Sequence, residues 1–101
     1  MEIRLLPEAE VDLDDAWLYV SKISSSIEIA NRLVDKISDR LALIRMQPQI
    51  GRSRDHDLSL GFRSFPVSDY VVFYRVEGDV VIIHRVLRGS RDIESILGDS
   101  I

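Results

Sequence analysis

GFRSFPVSDYVVFYRVEGDVVIIHRVL, residues 61–87, is the stretch that decides the fold. β-Branched and aromatic residues dominate it, and two short polar interruptions, VSDY at 67–70 and VEGDV at 76–80, have the composition of tight turns. Three consecutive strands in an antiparallel meander are predicted. Strict alternation puts Val71, Phe73 and Arg75 on one face of the middle strand and Tyr70, Val72, Tyr74 and Val76 on the other. The second set is the larger and is expected to face the rest of the core. On the last strand Val81, Ile83, Arg85 and Leu87 alternate with Val80, Ile82, His84 and Val86, and parity leaves open which set turns inward. Both sheet faces are largely apolar. One of them, carrying arginines, is expected to be a protein-docking surface.

Upstream the period changes from two to that of a helix. Residues 2–6, EIRLL, read as a short strand stopped by Pro7, which suits the first turn of a helix. Ala9, Leu13, Ala16, Trp17 and Val20 then share one face of a helix over residues 7–23, with Glu8, Glu10 and Asp12 near its positive end. Ser25 followed by Glu28 has the form of a capping box for a second helix. Along it Ile27, Ala30, Val34, Ile37, Leu41 and Ile44 make a regular apolar stripe that Pro48 and Gly51 terminate. The stripe is too short for a coiled coil and implies packing on the sheet. After the strands, Ile93, Ile96 and Leu97 predict a short closing helix between Asp92 and Gly98. The order β-α-α-β-β-β-α is that of an α+β fold: an N-terminal strand, a helical hairpin packed on a twisted antiparallel sheet, and a short C-terminal helix, in a single domain over residues 1–101.

Composition bounds the chemistry. The 101 residues include no cysteine, which excludes disulfides and thiolate metal sites, and only His56 and His84 offer imidazole. No segment is apolar enough for a membrane span and no leader is evident at MEIRLLPEAE, so the expected location is the cytoplasm. The net charge of −4 argues against a protein that lives on phosphate backbones. Charge is uneven, however. Residues 1–50 carry nine acids against six bases, whereas residues 61–91 carry Arg63, Arg75, Arg85, Arg88 and Arg91 against Asp69, Glu77 and Asp79.

No Ser-His-Asp order, glycine-rich phosphate loop or carboxylate pair stands out, so no catalytic, metal-ligating or cofactor-binding residue is assigned. The acids of EAEVDLDDAW do not converge on one helical face and read as a solvated helix start. Tyr70 and Tyr74 read as core aromatics, His84 as structural and His56 as part of a solvated loop. Arg75, Arg85 and Arg91 have two readings, as docking groups or as partners of acids on neighbouring strands or on the first helix.

PEAEVDLDDAWLYV, MQPQIGRSR, GFRSFPVSDYVVFYRV and IIHRVLRGSRDI, in this order and spacing, make the chain resemble the RelE/ParE toxin superfamily of bacterial type II toxin–antitoxin systems, and within it the ParE branch. The resemblance covers nearly the whole chain and implies two helices on a twisted antiparallel sheet. RelE-like members are implied to cut mRNA on the ribosome, ParE-like members to inhibit DNA gyrase. Val71 follows Tyr70 where the nuclease commonly has a basic residue, and no tyrosine or histidine follows His84, so the expectation is a non-enzymatic gyrase inhibitor. Arg88 stands where the ParE branch often has histidine. The implied partner is a ParD-like antitoxin with a ribbon-helix-helix DNA-binding part, forming a hetero-oligomer in which the chain meets DNA only indirectly, through the antitoxin. Arg63, Phe73, Arg75, Arg85, Arg88 and Arg91 are the candidate target- or antitoxin-binding residues. The alternatives are a ribosome-dependent mRNA endonuclease and an inactive relative that serves only in antitoxin-complex autoregulation.

Overall fold

Pro7 ends the first strand and begins the first helix. Glu2–Leu5 form β1, and Leu6, extended at the helix N-cap, gives no side-chain cap to α1 (Pro7–Ser24). Proline at the first helical position has no N–H to leave unpaired, and Glu8 and Glu10 face the positive end of the helix. The computed structural model describes residues 1–89. Arg91 and the closing helix expected through Ile93, Ile96 and Leu97 lie outside the described residues.

Ser25, at φ 54°, closes α1 in the left-handed conformation, and α2 (Ile27–Met46) starts two residues later. Its cap is therefore Ser26 and not Ser25, because a residue held left-handed cannot also be the extended N-cap. The Ser26 hydroxyl accepts from the Ile29 N–H at 3.2 Å. Replacing Ser26 with Ala is expected to lower stability by about 1 kcal/mol, read as a Tm drop of roughly 5 °C in thermal denaturation. Within α2 the buried stripe is Ala30, Leu33, Ile37 and Ile44. Ile27, at the first helical position beside the turn, is exposed, and Leu33 was not part of the expected stripe.

The strands β2 (Arg52–Ser53), β3 (Arg63–Val67), β4 (Tyr70–Glu77) and β5 (Val80–Arg88) join β1 in one sheet of order β1-β5-β4-β3-β2. The meander β3-β4-β5 is antiparallel as the turn residues imply, with Ser68 and Gly78 at positive φ in its two turns. The sheet is largely antiparallel, as expected, with one parallel pair at its edge, where β1 runs beside β5. The helical hairpin is part of the crossover that a parallel pair requires. Pro66 falls past the end of β2, where β3 is an edge strand and tolerates it.

Two apolar layers flank the sheet. On the helix side Ala9, Ala16, Leu33, Ile37 and Ile44 pack on Tyr70, Val72, Tyr74, Val81, Ile83 and Val86, so the larger set of β4 does face the helices. On the other side Phe62, Phe73 and Leu87 form a second cluster with Leu58 and Val71 against it. The expectation of an open apolar sheet face is thereby overturned. Residues 54–62 cross that face as a strap, tied internally by Arg54 N–H to Phe62 O at 2.8 Å and Gly61 N–H to Asp55 Oδ1 at 2.8 Å.

A bulge explains why parity on β5 could not choose a face. Phe73 lies opposite Arg85 and Tyr74 opposite Ile83, leaving His84 as an extra residue. Val81 and Ile83 before the bulge and Val86 after it all reach the helix side, while Leu87 joins the opposite cluster.

Candidate functional site

β1 reaches only to Leu5, opposite Ile83, so the last residues of β5 have no strand beside them on that edge. Helix α1 takes the place of one. The Asp12 carboxylate, only 6% exposed, accepts from Arg85 Nε at 2.7 Å, from Arg85 Nη2 at 2.9 Å and from the Val86 N–H at 2.9 Å. A single acid thus holds a guanidinium in a two-pronged ion pair and satisfies a backbone donor at the bulge. The hydrogen bond to Asp12 raises the Arg85 pKa above its usual value, against the opposing effect of burial. Two helical turns further on, the Tyr19 ring receives the Arg88 guanidinium at 4.1 Å from its centroid.

Asp12 is a correction to the reading of EAEVDLDDAW as wholly solvated. It sits three residues after Ala9 and four before Ala16, both fully or almost fully buried, and so lies on the inner face of α1. An acid within an apolar stripe was the available signal, and its partner is 73 residues away.

The expected contact residues separate into different environments. Arg85 and Arg88 come together against α1. Arg63 is half-buried and donates through Nη1 to the carbonyls of Gly51 at 2.7 Å and Gln49 at 3.3 Å, which fixes the exit from α2. Arg75 lies 5.4 Å over the Phe62 ring, on the face away from the helices. Phe73 is withdrawn as a contact residue: it is 0% exposed, and the Arg54 guanidinium of the strap covers its ring at 5.7 Å.

What remains open is a groove that was not expected. A cleft of about 310 Å³ lies between the end of α1, the start of α2 and the β3–β4 turn, walled by Val20, Ile23, Ile29 and Leu33. Arg32 and Lys36 give it positive charge, and Ser68, Asp69 and Tyr70 line its sheet side. Those three residues also line a second opening of about 520 Å³ that extends to Tyr19, Arg88 and Gly89. Taken together as one trough, the two openings carry Arg32 and Lys36 at one end and Arg88 at the other, with the acid Asp69 where they meet. Such a surface suits an amphipathic segment with acidic residues, and Ile23 and Ile29, 65% and 44% exposed, are uncovered apolar groups within it. Among the described residues no cluster of three or more His, Asp or Glu could hold a metal ion, and no helix is long and apolar enough to cross a membrane.

Comparison with known proteins gives concordant results. The family described as ParE toxin of type II toxin-antitoxin system, parDE, matches residues 3–93. Toxin ParE3 of Caulobacter vibrioides is 31% identical over 87 residues, covering 86% of this chain and 85% of that protein. A solved structure described as the chromosomal ParDE TA system from P. aeruginosa superposes with a TM-score of 0.75 at 21% identity, over 87% of this chain and 95% of that one. At that identity the structural likeness concerns the fold.

Proposed function

Because the chain belongs to the ParE toxin family of type II toxin–antitoxin systems, we propose that it is a non-enzymatic toxin that inhibits DNA gyrase and is neutralised by a ParD-like antitoxin laid along the trough between Arg88 and Lys36. The observation that carries this reading is the trough itself, whose uncovered Ile23 and Ile29 and flanking cations Arg32, Lys36 and Arg88 match the apolar and acidic faces of an antitoxin segment. The disposition of the other arginines supports a protein target over RNA scission. Arg63, Arg75 and Arg85 are engaged with backbone carbonyls, the Phe62 ring and Asp12, and are not gathered into one cluster that could hold a phosphate.

The purified chain is expected to inhibit supercoiling by gyrase. Codon-periodic cuts in ribosome-bound mRNA with gyrase unaffected would transfer it to the nuclease reading, and neither effect would make it an inactive relative acting only with its antitoxin. Arg88→Ala is the variant suited to this assay. A triple change that includes Arg85 is not, since Arg85 holds α1 to β5. For the antitoxin, reversing Arg32 and Lys36 together to Glu is expected to weaken the complex by roughly tenfold to a hundredfold in titration calorimetry, since two attractive contacts become repulsive. Unchanged affinity would place the antitoxin elsewhere.

A further inference from the structure

The strap over residues 54–62 is held to the sheet by Phe62, with Leu58 packed beside it and the Arg54 guanidinium over the Phe73 ring. Phe62 is fully buried, meets the His84 imidazole edge-on at 4.7 Å between centroids and 64° between planes, and has the Arg75 guanidinium 5.4 Å from its centroid. Most other polar bonds of the strap are internal, such as Leu58 N–H to Arg54 O at 3.0 Å and the Arg54–Asp57 pair at 2.6 Å. A side-chain tie to the sheet is Arg54 Nη1 to Ser64 Oγ at 3.1 Å.

His84, the extra residue of the β5 bulge, stands under this plug in an unusual state. Both of its ring nitrogens are buried and neither has a hydrogen-bond partner among the described residues. The neutral imidazole leaves one N–H unpaired there. The protonated form leaves two, and it sets a second positive charge beside the Phe62 ring that already carries Arg75.

We propose that His84 is a proton-operated latch: protonation of its ring displaces Phe62, frees residues 54–62 from the sheet, and uncovers the apolar surface formed by Phe73, Leu87 and Val71. The device lies on the sheet face away from the first cleft and shares only Val71 with the second opening, and it would make a second, cryptic apolar surface available in acid. The charged groups around the ring act in both directions. Burial and then Arg75 on β4 lower the His84 pKa below its usual 6.5, while Glu77 on β4 and Glu8 on α1 oppose them. The strap itself brings Asp55, His56 and Asp57, and the hydrogen bond from Arg54 lowers the pKa of Asp57, keeping it charged in this range. Once the strap is released, His84 regains its ordinary pKa. The contribution of neutral His84 to the closed state is thus fully present above about pH 6.5 and is lost as pH falls through the lowered value.

Hydrogen exchange of the 101-residue chain, corrected for the intrinsic pH dependence of amide exchange, tests this between about pH 7.5 and 5. Protection at residues 54–62 is expected to fall by up to about tenfold for each pH unit between the two His84 pKa values, with α1 and α2 unchanged. His84→Phe, which keeps an aromatic ring against Phe62 and removes the titration, is expected to abolish the response, and His56→Ala to preserve it. Equal protection of the strap at both pH values in the wild type, or a response that survives in His84→Phe, overturns the proposal. Should His84→Phe fail to fold, the imidazole titration followed by NMR in the wild type serves instead. A strap-opening midpoint that does not coincide with protonation of His84 overturns it equally.

Discussion

Replacing Asp12 with Ala is expected to destabilise the protein by about 3 kcal/mol, a fall in Tm of roughly 15 °C in thermal denaturation. Two losses combine. The Arg85 guanidinium keeps its charge but loses both bonds to the carboxylate, and the Val86 N–H at the bulge loses its acceptor. The Arg85 side chain is 17% exposed, which lets water reach it in part and holds the cost at the low end of that for a broken buried ion pair. Asp12→Asn should lose about half as much, since an amide oxygen can still accept from Val86. A change below about 0.5 kcal/mol for Asp12→Ala, the usual range for surface substitutions, would show that α1 does not depend on this pair to hold the open edge of β5. Asp12 lies behind Arg85, so under the proposed function the inhibition of gyrase by the variant, measured well below its Tm, should fall only with the folded fraction.

The same pair marks where local sequence pattern stops being informative. The helical hairpin and the meander were legible because each repeats a period many times: Ala30, Ile37 and Ile44 at helical spacing, Tyr70, Val72 and Tyr74 at strand spacing, with Gly78 and Ser68 in the turns where positive φ is required. The strap was not legible. RSRDHDLSLG, residues 52–61, has no period, and its one large buried anchor, Phe62, reads as the first residue of a strand. It changes the candidate site, because it covers the face on which Phe73 had been expected to meet a partner. The bulge hides in the same way, since one extra residue at His84 shifts every later side chain of β5 while leaving an apolar sequence on both sides of it. Of the candidate arginines, Arg88 lines the second opening of the proposed trough, and Arg85 took the alternative reading, pairing with an acid of the first helix. Arg32 and Lys36 were passed over, because on a solvated helix face the sequence does not distinguish cations beside a groove from ordinary surface charge.

Gly51→Ala is expected to cost about 3 kcal/mol, through steric conflict and not through backbone strain. The Tyr74 hydroxyl donates to Pro48 O at 2.8 Å and accepts from the Gly51 N–H at 2.8 Å, so one buried phenol ties the exit of α2 to the centre of β4. Burial raises the Tyr74 pKa, with the Gly51 N–H opposing, and the hydroxyl therefore remains a donor throughout the physiological range. A Cβ on residue 51 would stand 2.5 Å from that oxygen and 2.8 and 2.9 Å from two ring carbons, distances that force either the loop or the ring to move. Tyr74 is 0% exposed within the main cluster, where close packing resists movement of the ring. Tyr74→Phe alone removes both hydrogen bonds and should cost about 1–2 kcal/mol. In the double variant the shortest clash and the bonds it breaks are already gone, so the combined loss in urea denaturation should fall short of the sum by about 1–2 kcal/mol. Additive losses would mean that Gly51 and Tyr74 act separately and that the close approach at this corner is not what requires glycine.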